Sequence, residues 1–271
     1  MRLSVISDVH GNLPALRAAL RALGDHGIDR YLCAGDLVGY GPFPNECVEA
    51  IAGLDPLCVA GNHDLVAVDR LSLDRCGPLG RVTLRWTRQE LTPGSRAYLE
   101  SLPATVELDH LVMAHGSLAD AQTYVESEDA GAELARLRAD RPDARLLVLG
   151  HTHSALAYGE ESGELLRRRA GLVALPEGER HLINPGSIGQ ARERRAFVRF
   201  LVLDTDARSA EFQAIDYDHE AVRRALRERG LPEDAAHRKP RARAVMARPL
   251  RRVARALLPR SVRDRLRGRA P

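Results

Sequence analysis

Apolar and polar positions fall into blocks whose period changes along the chain. Leu3 to Ile6, Tyr31 to Ala34 and Leu57 to Ala60 read as short apolar strands. Leu13 to Leu23 carries apolar residues at helical spacing, and a second helix is predicted near Asn45 to Ala52. The resulting βαβαβ order predicts parallel strands with crossover helices. Leu79 to Leu102 predicts helix, interrupted at Thr92-Pro93-Gly94. From Val106 onward the period shortens. Strands are predicted at 110–114, 145–149, 155–158, 165–169, 180–183, 197–203 and 209–214, with one helix near 127–140. Their hairpin spacing predicts a second, antiparallel-rich sheet facing the first. A helix from His219 to Arg229 is expected to close a body spanning 1–230, and 231–271 reads as an Arg-rich extension, a linker with short amphipathic helices.

Composition narrows the class. The chain has 271 residues, 44 % hydrophobic and 28 % charged, which excludes bulk disorder and a collagen-like chain. No run approaches the ~18 consecutive apolar residues of a membrane-spanning helix. The N-terminal MRLSVISDVHGN has no apolar stretch long enough for a signal peptide, so a cytoplasmic protein is expected. Cys33 and Cys58 lie inside apolar runs, and the four cysteines form no C-x-x-C pair, so buried thiols are expected.

The net charge of +3 hides a split. Arg238 to Pro271 holds 13 basic residues against the single acid Asp264, leaving 27 basic and 36 acidic residues in 1–237. Within the extension, Leu250, Val253, Ala254, Leu257 and Leu258 form an apolar stripe among Arg248, Arg251, Arg252 and Arg255. Two readings stand: a solvated tail, or a basic helix that attaches residues 240–269 peripherally to an anionic inner membrane surface, to nucleic acid nonspecifically or to an acidic partner. No specific nucleic-acid motif is present.

Candidate chemistry lies just after the apolar strands. Asp8-Val9-His10 follows the first, Gly35-Asp36 the second and Gly61-Asn62-His63-Asp64 the third. His115-Gly116 and Gly150-His151-Thr152-His153 follow later ones. Loops at the carboxyl ends of parallel strands gather on one edge of a sheet, so the five are expected to meet. Their oxygen and imidazole donors suit two divalent ions such as Mn²⁺, Fe²⁺, Zn²⁺ or Co²⁺, with Asp36 the natural bridging carboxylate. Tyr40, Asn12 and Tyr124 are candidates either for a pocket wall or for packing. Asn184-Pro185-Gly186-Ser187 reads as a turn near the site, structural before functional.

In this order the five blocks resemble the calcineurin-like metallophosphoesterase superfamily. Ser7 to Asn12, Gly35 to Pro42 and Asn184 to Ser187 are similar to its compact bacterial phosphodiesterases. The resemblance spans residues 1 to about 216. It implies an α/β fold, a four-layer α/β/β/α sandwich of two mixed sheets, with a dinuclear metal site at strand carboxyl ends. One metal would be held by Asp8, His10, Asp36 and His153, the other by Asp36, Asn62, His115 and His151. Mn²⁺ is favoured, with Fe²⁺, Zn²⁺, Co²⁺ or Ni²⁺ as alternatives. His63 would assist in-line attack of a metal-bridging hydroxide on a phosphate ester, most simply a phosphodiester, and Asp64 would orient His63 through a carboxylate–imidazole hydrogen bond. The chain after Asp36 runs Leu-Val-Gly-Tyr-Gly and lacks the Asp-Arg of eukaryotic-type protein phosphatases, which weighs against a phosphoprotein substrate. The alternatives are a phosphomonoesterase or phosphoprotein phosphatase and, in a different class, a metal-binding but non-catalytic interaction scaffold.

Overall fold

The computed structural model describes residues 1–238. The expected basic helices and the attachment through 240–269 lie outside the described residues.

The strands are β1 (Arg2–Ile6), β2 (Arg30–Cys33), β3 (Leu57–Cys58), β4 (Thr105–Leu108), β5 (Leu111–Ala114), β6 (Leu146–Val148), β7 (Leu156–Gly159), β8 (Gly163–Arg167), β9 (Gly171–Ala174), β10 (His181–Asn184), β11 (Val198–Asp204) and β12 (Ser209–Ile215). The helices are α1 (Leu13–Leu23), α2 (Pro44–Ala52), α3 (Asn62–Ala67), α4 (Pro78–Glu90), α5 (Pro93–Ser101), α6 (Ala130–Asp140) and α7 (His219–Glu228). Among the described residues the strands form two mixed six-stranded sheets, ordered β3-β2-β1-β11-β12-β9 and β4-β5-β6-β10-β7-β8.

Alternation along the strands builds the layers. On β1, Leu3 and Val5 face the second sheet, where they meet Met113, Val148 and Ile183; Ile6 faces the helices. The helix-side core joins Leu16 of α1, Ile51 of α2, Val66 of α3, Leu84 of α4 and Leu99 of α5 to Phe200 and Val202 of β11. On the far side Leu134 and Leu137 of α6 cover Val112, Leu147 and Leu182. The order is helices, sheet, sheet, helix: the expected α/β/β/α sandwich.

Three expectations change. The second half of the chain does not form one sheet by itself, because β11, β12 and β9 return to the first. β11 pairs antiparallel with β1 and is buried from Val198 to Leu203, as a central strand covered on both faces must be. The strand expected at 165–169 stops at Arg167 because Arg168 turns to φ 55°, and the chain resumes as the edge strand β9. Residues 231–238 pack on the body rather than forming a linker: Ala235 and Ala236 are buried beside Val222 and Leu226, and Arg238 N–H donates to the Ala191 carbonyl (3.0 Å). The break at Thr92 is a helix restart, with its hydroxyl accepting the Ser95 N–H at 3.2 Å. All four cysteines are free and buried.

Candidate metal centre

β1, β2 and β3 run parallel in one sheet, and β5 and β6 run parallel in the other. Their carboxyl ends therefore open on a common edge of each sheet. The first sheet brings Asp8, His10, Asp36, Asn62 and His63; the second brings His115, His151 and His153. All are buried, together with Asp64. Their ligand atoms form three overlapping groups, Asp8/His10/His153, His10/Asp36/His63 and Asp36/His115/His151, each within 4.8 Å. Asp36 is common to two of them.

The backbone at this edge is strained. Asp8, His10, Asp36, His151 and His153 all adopt left-handed φ, between 49° and 64°. Asp and His tolerate that region better than most residues, and such strain concentrates where side chains must be aimed.

Hydrogen bonds fix which nitrogen of each imidazole faces inward. His10 Nδ1 donates to the Val38 carbonyl (3.1 Å), His115 Nδ1 to Ala34 (2.6 Å) and His153 Nδ1 to Gln190 (2.6 Å). His151 is turned round, with Nε2 on the Gln122 carbonyl at 3.0 Å. In a neutral ring the nitrogen bound to a carbonyl carries the proton, so the other presents a lone pair. This is how metal-ligating histidines are held.

The lone pairs converge. His10 Nε2 lies 3.1 Å from His153 Nε2, and His153 Nε2 lies 3.2 Å from Asp8 Oδ1, which receives no hydrogen bond. His115 Nε2 lies 3.3 Å from Asp36 Oδ2 and 3.2 Å from Asn62 Oδ1. Burial lowers the pKa of His10 and His153, so both rings are neutral and their lone pairs repel. His115 is the exception: burial works the same way on it, but Asp36 beside it outweighs burial and raises it to about 10, so without a cation its Nε2 keeps a proton, shared with Asp36 and Asn62, that a metal ion would displace. Burial tends to raise Asp8 and Asp36, yet the neighbouring histidines hold both below the ordinary carboxylate range. Such a donor set calls for positive charge at its centre, and its Asp, Asn and His composition fits divalent cations.

Asp64 does not do what the sequence suggested. Its carboxylate makes no bond to the His63 ring among the described residues. Oδ2 accepts the N–H groups of Asp36 (2.8 Å) and Gly61 (2.9 Å), and Oδ1 those of Leu37 (2.8 Å) and Val38 (3.2 Å). It is the third residue of α3 and closes half a capping box onto Gly61, while pinning the loop that carries Asp36. Burial and Asp36 push its carboxyl up to about 7, against the pull of these backbone donors. His63 is held otherwise, by its N–H to Asp36 Oδ1 (2.8 Å) and by the rings of Tyr40 and His10 at 4.5 and 4.8 Å. Gly39 makes room for it: a Cβ there would sit 2.3 Å from His63 Nδ1.

The Asn184 to Ser187 turn braces two ligand loops. Asn184 Nδ2 donates to the Gly150 carbonyl (2.5 Å), and Ser187 Oγ donates to the Asp8 carbonyl (3.0 Å). Asn12 caps α1 and reaches the Gly189 carbonyl (2.8 Å), whereas Tyr40 and Tyr124 do line the pocket. That pocket, ≈ 130 Å³, opens over the cluster and is bounded also by Asn62, His63 and Arg192. Gln122, Gln190 and Arg192 escaped the sequence reading. Two of the three act here through backbone carbonyls, which leave no mark on residue type.

The sequence profile of the calcineurin-like phosphoesterase superfamily domain matches residues 1–208. The chain belongs to this superfamily. Membership implies a phosphoester substrate. This calcineurin-like phosphoesterase is similar to the uncharacterized protein MJ0912 of Methanocaldococcus jannaschii, with 32 % identity over 240 residues, 85 % of this chain and 94 % of that one. It is 27 % identical over 201 residues to the phosphodiesterase YfcE of Escherichia coli K12, covering 70 % and 86 % of the two chains. Among solved structures, a metallophosphoesterase from Sphaerobacter thermophilus aligns with a TM-score of 0.75 at 33 % identity, over 87 % of this chain and 97 % of that one. A hypothetical protein from Pyrococcus horikoshii OT3 shares the fold, with a TM-score of 0.70 at 21 % identity over 87 % and 96 %.

Proposed function

We propose that this phosphoesterase hydrolyses phosphodiesters with two divalent metal ions, Mn²⁺ being the first to test. Asp8, His10, Asp36 and His153 would hold one ion, and Asp36, Asn62, His115 and His151 the other. Bound there, the pair would supply an activated water at neutral pH and a clamp for phosphoryl oxygens. The observation that carries this reading is the convergence of four imidazoles, each fixed by a carbonyl on its outer nitrogen, on Asp8 and Asp36.

The remaining roles fall to the chain itself. His63 lines the pocket, and neither nitrogen of its ring has a hydrogen-bond partner among the described residues, which suits a group that exchanges a proton with the leaving oxygen. Burial holds its ring down at about 4, so it stands neutral in the free site; a phosphoester anion beside it would favour the protonated form. Asp64 keeps the Asp36 loop and the start of α3 in register. The similarity to a named phosphodiesterase supports a diester over a monoester.

Hydrolysis of bis-p-nitrophenyl phosphate by Mn²⁺-loaded protein, set beside p-nitrophenyl phosphate, tests the reading. A metal-dependent rate on the diester, exceeding that on the monoester, is expected. A metal-loaded protein inert on both would overturn it in favour of a scaffold.

A further inference from the structure

Arg192 lies three residues past the Gly189 that packs against β1's loop, and it lines the same pocket as Asp36, His63 and His153. Its guanidinium makes two hydrogen bonds, Nη1 to the Tyr124 hydroxyl (3.2 Å) and Nε to Gln190 Oε1 (3.3 Å). Both partners are neutral. A guanidinium has five N–H donors, so both on Nη2 and one on Nη1 find no acceptor in the protein.

No carboxylate among the described residues lies within ion-pairing distance of it. Its neighbour Glu193 cannot serve, because both oxygens are committed to Arg199 at 2.5 and 2.8 Å. Two other partly buried arginines are neutralised, Arg167 by Glu126 at 2.9 Å and Arg88 by Asp69 at 2.9 Å. A partly buried cation without a counter-ion carries a desolvation cost that an anionic ligand would relieve.

The fork is also held in place at both ends. Tyr124 stacks on the ring of His151 with centroids 4.0 Å apart, while the Gln190 side chain donates to the Ala235 carbonyl (3.0 Å) and its own carbonyl receives His153 Nδ1. Two residues of the metal cluster thus set where the guanidinium sits.

We propose that Arg192 is the protein's own phosphate-binding cation at this site, its free donors taking a non-bridging oxygen of the phosphoester; this rests on the function proposed above. Planar, paired N–H donors match a phosphoryl edge, which a lysine ammonium cannot reproduce.

Calorimetric titration of inorganic phosphate into Mn²⁺-loaded wild type, Arg192→Lys and Arg192→Gln tests this, with metal content measured on each protein and steady-state kinetics on bis-p-nitrophenyl phosphate. Arg192→Gln should keep its metal and bind phosphate roughly 10- to 100-fold more weakly, the weight of one or two charge-assisted hydrogen bonds. Arg192→Lys should fall between, and added methylguanidinium should recover part of the loss in Arg192→Gln. Wild-type phosphate affinity in Arg192→Gln would overturn the proposal, and so would loss of its metal, which would make Arg192 a brace. Arg192-dependent phosphate binding by a wild type that hydrolyses no ester would instead overturn the catalytic reading and leave Arg192 standing.

Discussion

The Nε2 atoms of His10 and His153 face each other at 3.1 Å, each with its Nδ1 committed to a backbone carbonyl. With both rings kept neutral by burial, neither Nε2 has a proton to donate to the other, so the pair is repulsive until a cation lies against both. Metal binding should therefore stabilise the fold. At a free concentration of 100 Kd the linkage is about 2.7 kcal/mol per site, or roughly 5–10 °C in Tm for a body of this size. Thermal unfolding with Mn²⁺ and with chelator measures it; identical Tm values in both would contradict the assignment.

His63→Ala should separate binding from turnover. Retained metal stoichiometry with a loss in kcat of about 10²- to 10⁴-fold is expected for removal of a proton-transfer group. Gly39→Ala should mimic it, because the new Cβ would occupy the space of His63 Nδ1 on a backbone held at φ 83°. Wild-type kcat in a metal-loaded His63→Ala protein would remove His63 from the chemistry.

Asp64→Ala should behave differently from His63→Ala. Four backbone N–H groups lose their acceptor inside the fold, so stability should fall by at least about 3 kcal/mol, and metal content should fall with it as the Asp36 loop loosens. Urea unfolding and metal analysis on the same preparation check this. Unchanged stability with full metal would contradict the bracing role.

Glu179 predicts a pH dependence far from the site. Burial acts to raise its carboxyl, but the hydroxyl and N–H of Ser162 and the N–H of Glu161 outweigh burial and lower it. A depressed carboxyl contributes stability above its unfolded pKa and loses that contribution as pH falls through the folded value. Glu179→Gln should therefore be less stable than wild type at pH 7, with the gap closing below about pH 4. A gap that widens on acidification would reverse the sign.

Much of the fold and the ligand set could be read from the chain because each lies in local pattern. The strands β1, β2, β10 and β11 contain apolar runs, β12 alternates apolar with polar residues, and the five blocks carry their chemistry in adjacent residues. What escaped depends on contacts distant in sequence. Asp64 reads as a partner for its neighbour His63, yet three of the four N–H groups its oxygens accept lie 26 to 28 positions away. Helix α3 begins inside the Asn62-His63 block, which reads as loop because its residues suit turns. The edge strands β4 and β9 are half exposed or more and carry no long apolar run. Arg192 stands in an arginine-rich stretch, where composition alone does not single out the one that lines the pocket.

Metal stoichiometry measured alongside turnover is the most direct test of the site. Chelator-treated protein titrated with Mn²⁺ should bind two ions per chain, with bis-p-nitrophenyl phosphate hydrolysis rising as they load. Asp36→Asn, which alters the one carboxylate common to two donor groups, should lose both binding and rate. Full hydrolysis by chelated protein, or unchanged two-metal binding in Asp36→Asn, would contradict the assignment.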